Sequence, residues 1–192
     1  MLYCWQEVKN MIIEPVTIVL KNGENAYLCS PKEDNAQEVI AFLKKTNSQT
    51  DNMSRYPEEV DDDIEAERQF LARMLADGRA VQIAAFVGGR LAGMAGVNPI
   101  GKNIKDYHRA ELGICVLQEF WGLGVGSALT LNCIKYAQKL SFEQLELEVV
   151  SSNERAKHLY EKCGFVKTGV LPHAQRLKDG RYQDYDFMIK ML

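Results

Sequence analysis

What the chain lacks narrows its chemistry before any motif is considered. Among 192 residues there are three histidines and five cysteines (Cys4, Cys29, Cys115, Cys133, Cys163). None forms a Cys-x-x-Cys pair or a His/Cys cluster with metal-ligand spacing, so no metal is expected. An odd, scattered cysteine set suits a reduced, cytoplasmic setting in which each thiol is a small buried hydrophobe. No apolar run approaches the roughly 20 residues of a membrane span, and no charged stretch followed by an apolar one opens the sequence. A net charge of −3 offers no basic surplus for nucleic acid. Repeats, low-complexity tracts and linkers are also missing, so residues 1–192 suit one domain with a real core, with 1–10 as an N-terminal extension.

Hydrophobic periodicity supplies the elements. Met11 to Leu20 is rich in Ile and Val, but Pro15 makes it an edge or bulged strand, hairpinned through Lys21-Asn22-Gly23-Glu24 to Ala26 to Cys29. Ala36, Val39, Ile40 and Leu43 recur at helical spacing. A polar stretch from Thr46 to Asp63 follows, then a helix over Ile64 to Leu75 that Asp77-Gly78 stops. Its acidic run, residues 58–63, either favours the positive end of that helix or attracts a cationic amine. Ala80 to Val87 and Leu91 to Val97 flank Gly88-Gly89, a hairpin signal.

Ala110 to Val116 reads as a strand that leads into Phe120-Trp121-Gly122-Leu123-Gly124-Val125-Gly126-Ser127. A helix follows with Leu129, Cys133, Ile134, Tyr136, Ala137 and Leu140 on one face. Next come an alternating strand (Leu145, Leu147, Val149) and a helix with Ala156, Leu159, Tyr160 and Cys163 on one stripe, ended by Gly164. Ser151 with Glu154 offers a capping box. Phe165 to Leu171, Ala174 to Leu177 and Tyr182 to Ile189 complete the sheet, the last pair turning at Asp179-Gly180. The strand-helix-strand unit must be parallel and the hairpins antiparallel, so the sheet is mixed.

Glycines at 122, 124 and 126 free the backbone for positive φ, and the helix behind them presents unpaired N–H groups with a positive dipole end. That is an anion site suited to phosphate. It is no P-loop, which needs Gly-Lys-Ser/Thr, and no dinucleotide fingerprint, since Ser127 stands where the third glycine belongs. By itself such a turn also serves as a plain packing device.

A second block begins at Asn153: Asn-Glu-Arg-Ala156-Lys-His-Leu159-Tyr160-Glu-Lys-Cys-Gly164-Phe165. Together the two blocks resemble the acyl-CoA core of the GNAT superfamily of N-acetyltransferases, whose first motif is Gln/Arg-x-x-Gly-x-Gly/Ala and whose second is Asn-x-x-Ala-x-x-Leu-Tyr-x-x-x-Gly-Phe. The second match is complete. In the first, Trp121 stands where Gln or Arg is usual, and tryptophan before Gly-x-Gly is similar to the branch that acetylates ribosomal-protein N-termini. The resemblance implies an α/β GNAT fold from about residue 11, a mostly antiparallel mixed sheet of about seven strands flanked by about four helices. It also implies acetyl-CoA as cosubstrate, held by Ile114, Cys115 and Val116 at a strand edge, by Trp121 to Ser127 (Gly122, Leu123, Gly124, Val125, Gly126), by Asn153 and by Tyr160.

Acyl transfer to an amine of ordinary pKa near ~10 needs a proton acceptor, an oxyanion site and an acid for the leaving thiolate. The resemblance makes Tyr160 that acid, although its place on an apolar stripe also suits a core tyrosine, and Asn153 suits a helix cap as well as a CoA ligand. Glu111 is the candidate base, Glu148 on the neighbouring strand the second, and both also fit plain solvent-facing carboxylates. A one-residue slip in register would turn Glu111 to the wrong face. The acceptor is a primary amine, on a small molecule or a protein N-terminus; a catalytically inactive acyl-CoA sensor keeps the same features. His108 is a loop histidine. Gln49 to Asp63 and the Leu171 to Asp184 hairpin are expected to line the acceptor pocket, and the last hairpin offers an edge for a homodimer.

Overall fold

In the computed structural model residues 11–192 are described, and the expected extension over 1–10 lies outside them. One open sheet of eight strands runs β1-β2-β3-β4-β5-β6-β8-β7. In chain order these are β1 Val16–Val19, β2 Asn25–Cys29, β3 Val81–Val87, β4 Arg90–Pro99, β5 Arg109–Val116, β6 Gln144–Val150, β7 Val166–Arg176 and β8 Tyr182–Met191. Four helices, α1 Ala36–Ser48, α2 Ile64–Ala76, α3 Val125–Lys139 and α4 Glu154–Lys162, connect them. The architecture is thus the expected mixed α/β sheet, mostly antiparallel, with eight strands rather than about seven.

β4 explains the layering. It is buried from Leu91 to Val97 on both faces, a pattern a strand tolerates only between two helical layers. Its small residues Ala92, Gly93, Ala95 and Gly96 leave room for close approach, and α3 packs across β3, β4 and β5 with Val125, Leu129, Cys133 and Tyr136 fully or nearly fully buried. α1 and α2 pack against each other.

Three departures from expectation have local causes. The first strand covers only Val16–Val19, because Pro15 has no N–H and the amides before it are already spent: Ile13 donates to Ser30 Oγ (3.1 Å) and Glu14 to Tyr136 Oη (2.7 Å). The two pieces expected before Asp179 form one strand, β7, whose register breaks between Leu171 and Gln175, where Pro172 cannot donate and His173 sits at φ 51°. Finally, Ser151 makes no capping box. Asn153 is the N-cap of α4, accepting from the Ala156 amide at 3.2 Å, and Ser151 turns instead to Asp186.

Asp186 is the charged residue buried in the core, 1% exposed, on β8. Its carboxylate accepts from Ser151 Oγ at 2.5 Å and pairs with Lys167 at 2.9 Å, with Lys157 of α4 at 3.8 Å. Lys157 also donates to the Ser151 carbonyl (2.8 Å), so one cluster fastens the β6–α4 corner to the last hairpin. Burial alone would raise the Asp186 pKa, but the Ser151 hydroxyl and the two lysines outweigh it and hold the carboxyl below its ordinary value. A depressed carboxyl contributes stability above its unfolded pKa and loses it as pH falls toward its folded one. Asp186→Ala should therefore cost about 2 kcal/mol near neutrality. Urea unfolding across pH should show that deficit shrinking below about pH 4, where the unfolded carboxyl protonates; a deficit constant with pH would mean the aspartate acts by packing alone.

Candidate active site

The site is made where two parallel strands part. β5 and β6 pair only over Arg109↔Gln144, Ala110↔Leu145 and Glu111↔Glu146, after which each goes on alone on its cleft side. β5 keeps its antiparallel ladder to β4 as far as Gly93↔Val116. Alternation along that ladder assigns the backbone groups. His108 O accepts from the Gln144 amide (3.2 Å) on the β6 side, whereas Arg109 O (3.2 Å) and Leu117 N (2.9 Å) bond on the β4 side. Even-numbered residues therefore direct N–H and C=O away from β4, and Ile114 and Val116 present theirs to the gap. Cys115, grouped with them from sequence, has its backbone turned to β4 and contributes only a side chain to the cleft.

The gap is a cleft of about 880 Å³. Its floor includes the turn from Trp121 to Ser127. Gly122 (φ 79°) and Gly124 (φ 107°) are left-handed, and a Cβ on either would meet nothing within 4 Å, so conformation rather than space demands glycine there. Gly126 differs: it lies in the first turn of α3, and a Cβ would come within 3.2 Å of Leu159 Cδ2, so it lets α3 and α4 pack closely. Gly124 caps α3 without any side-chain partner, which leaves the first-turn amides of Val125, Gly126 and Ser127 unpaired. Leu123 and Val125 keep their side chains out of the cleft; the Leu123 carbonyl accepts from Lys21 N at 3.0 Å and Val125 is fully buried.

Trp121 donates its indole N–H to Val116 O at 2.7 Å, fastening the turn to the free end of β5. Over its ring, 4.9 Å from the centroid, lies the Arg155 guanidinium. Arg155 and Lys21, which touch the turn, and Lys162 all line the cleft and have no ion-pair partner among the described residues. Sequence reasoning missed all three: Arg155 is a variable position inside its motif, and Lys21 comes from a distant turn.

At the fork itself the cleft is acidic. Glu111 lines it, with Ala110 and Leu112 on either side of it buried, so the register places the carboxylate on the cleft side; Glu148 and Tyr185 line the same wall. Burial first, and then the charges of Glu148 and Glu146, raise the Glu111 pKa. Glu146 itself is held low by a two-point bond to Arg109 (2.5 and 2.8 Å), so it remains a fixed negative neighbour.

Tyr160 of α4 is 7% exposed and lines the cleft, edge-on to Phe165 at 5.9 Å. Its hydroxyl has no hydrogen-bond partner among the described residues, and burial pushes its pKa up, so the phenol keeps its proton. Cys115 lies nearby, its thiol pushed up to about 12 by burial. Asn153 spends Oδ1 on the cap and lines the cleft as well, so both expected roles are compatible. His108 serves through its backbone at the β5–β6 junction.

The acidic run resolves as structure. Glu58 pairs with Lys178, Glu59 accepts from the Tyr56 amide, Asp61 from the Asp63 amide, Asp62 pairs with Lys44, and Asp63 caps α2 through the Glu65 and Ala66 amides. Each carboxylate thus has a local partner, which accounts for the run without an amine.

Comparison with known proteins gives the arrangement a context. Residues 37–165 match the model of the "Acetyltransferase (GNAT) family". A spermidine N(1)-acetyltransferase of Vibrio cholerae is 38% identical over 83 residues, 42% of this chain and 47% of that protein. The L-amino acid N-acetyltransferase AaaT of Escherichia coli is 29% identical over 119 residues, 61% of this chain and 72% of that one. The match to the Vibrio protein therefore spans about half of that relative's length. Among solved structures, an acetyltransferase of the GNAT family from Streptococcus pneumoniae superposes with a TM-score of 0.83 at 26% identity, covering 87% of this chain and 99% of that chain.

The charge arrangement at the fork is directly measurable. With Glu148→Gln one of the two like charges facing Glu111 is gone, so Glu111 should titrate at lower pH than in the wild type, as followed by carboxyl-carbon NMR. An unchanged midpoint would assign the shift to burial and Glu146 instead.

Proposed function

Because the chain belongs to the acetyltransferase (GNAT) family, we propose that it moves an acetyl group from acetyl-CoA to a primary amine by direct attack. Acetyl-CoA, when bound, supplies the activated thioester. The residues present fit it: Gly122 and Gly124 leave the turn unobstructed, three first-turn amides lack partners, and Lys21, Arg155 and Lys162 add unpaired positive charge beside them. The Ile114 and Val116 amides are suited to an oxyanion.

Glu111 accepts the proton of the incoming ammonium. A carboxyl whose pKa is raised above its ordinary value by burial and by neighbouring carboxylates is a stronger base than a solvated one. Tyr160, kept protonated by burial, donates toward the departing sulfur. A cysteine relay is disfavoured, since the Cys115 thiol at about 12 yields almost no thiolate at pH 7. The observation that carries the reading is the co-location, in one cleft, of a donor tyrosine, a base-competent carboxyl and the unpaired amides of α3.

The test is thiol release from acetyl-CoA with a panel of amines and peptides. Tyr160→Phe should lower kcat about a hundredfold or more while acetyl-CoA binding persists, and Glu111→Gln should do the same with loss of the acidic limb of the pH profile. Binding without release to any amine would replace the enzyme with an acyl-CoA sensor.

A further inference from the structure

Beside the main cleft lies a smaller chamber of about 210 Å³, and the two share Thr50, Met53 and Ser54 as a common wall. It is a built feature. On one side is the segment between α1 and α2, on the other the end of β7 with the turn after it, and the two are clamped together. The Lys178 amide donates to Tyr56 Oη at 2.8 Å, the Lys178 ammonium lies 4.1 Å over the Tyr56 ring and pairs with Glu58, and Arg181 reaches Asp51 at 3.7 Å.

Four charged residues line the chamber, and they are not equivalent. The acids are spent: Asp51 on Arg181 and Glu59 on the Tyr56 amide at 2.6 Å. The bases are not. Arg55 has no partner among the described residues, and Arg176 has only the Tyr182 ring, 5.8 Å from its guanidinium. Asn47, 8% exposed, also lines the chamber. Its Nδ2 is fixed on Leu43 O at 2.7 Å and its Oδ1 is buried with no partner among the described residues, a state that is unfavourable unless something donates to it.

We propose that this chamber receives the far end of the acceptor, and that the acceptor is an amine that also carries a carboxylate. The inference rests on the transferase reading for the position of the amine, beside Glu111. Two guanidiniums without an ion-pair partner on one chamber suit a carboxylate, and Asn47 Oδ1 suits an N–H lying between the amine and that carboxylate, as the amide N–H of a dipeptide does. The two arginines without an ion pair also disfavour a polyamine, whose second ammonium they would repel, while Asp51 is already paired with Arg181.

The experiment pairs amino acids and dipeptides with their carboxamides, adds spermidine, and measures acetyl transfer by the wild type and by Arg55→Ala/Arg176→Ala. The wild type should favour the free carboxylates, and the double variant should lose that preference through a KM for the carboxylate about 10- to 100-fold higher, with the KM for acetyl-CoA unchanged. Arg176→Lys, which keeps the charge, should retain part of it. Equal or better use of carboxamides or spermidine by the wild type would overturn the chamber's role and leave the transferase intact. If no amine is acetylated, the transferase reading falls instead. The chamber is then decided by calorimetric titration of one dipeptide and its carboxamide into the CoA-loaded protein: tighter binding of the acid, lost in the double variant, supports it, and equal affinity overturns it.

Discussion

Everything functional in this molecule depends on three residue pairs. Had β5 and β6 stayed zipped beyond Glu111↔Glu146, the amides of Ile114 and Val116 would be spent on a ladder and no cleft would exist. Parting them leaves backbone polar groups that need partners or water. The structure deals with that cost unevenly. The Val116 carbonyl is taken by the Trp121 indole, and the fork is braced by the Arg109–Glu146 pair at its closed end. The amides are left open. A bare carbonyl at Val116 would repel an oxyanion or phosphate, so capping it while sparing the Val116 amide favours an anion at the end of the strand nearest the glycine turn.

The cleft is polarised along its length. One end combines the positive terminus of α3 with Lys21, Arg155 and Lys162, and the other holds Glu111 and Glu148 near a fixed Glu146. The two ends suit opposite tasks, binding a polyanion and deprotonating a cation, and keeping them apart prevents the simple outcome in which these side chains neutralise one another. The substitution of tryptophan for a polar residue at 121 fits this scheme. The charge that position would have carried is supplied by Arg155 from α4, stacked on the indole, so a departure in one motif is met by a residue in the other.

The element order, the anion turn, the tyrosine and the asparagine were legible in the sequence because each is set by local rules: glycine where φ must be positive, apolar stripes at helical spacing, a polar cap before a helix. Glu111 was legible only as a residue type. Its face depends on β5 register, which the pairing to β4 fixes and which no local pattern reports. That Cys115 meets the cleft through its side chain and not its backbone was hidden for the same reason, since neighbouring residues on a strand turn their backbone groups to opposite sides. The acidic run was ambiguous because its partners, Lys44 and Lys178, are distant in sequence, and the boundaries of β1 and β7 were set by side chains that consume backbone amides and by a proline-centred irregularity.

Unspent charge therefore carries more functional information here than charge itself. Around the turn and the hairpins the charged groups pair: Glu119 with Lys45 and Arg90, Asp186 with Lys167, Asp179 with Arg181. The pairs between exposed groups contribute little stability, unlike that of the buried Asp186, but each fixes a loop or hairpin and removes both charges from competition for a ligand. Against that background the cations without partners on the cleft wall fall into two groups, one at the glycine turn and one in the small chamber. An arginine that makes no pair because its neighbouring carboxylates are engaged elsewhere keeps its attraction for an anion from outside. The chamber's arginines, flanked by Asp51 and Glu59 already engaged elsewhere, are in that condition. The clamp that ties Asp51 and Glu58 to the hairpin thus does two things at once: it holds the two sides of the chamber together, and it engages Asp51, which would otherwise be free to pair with the chamber's arginines.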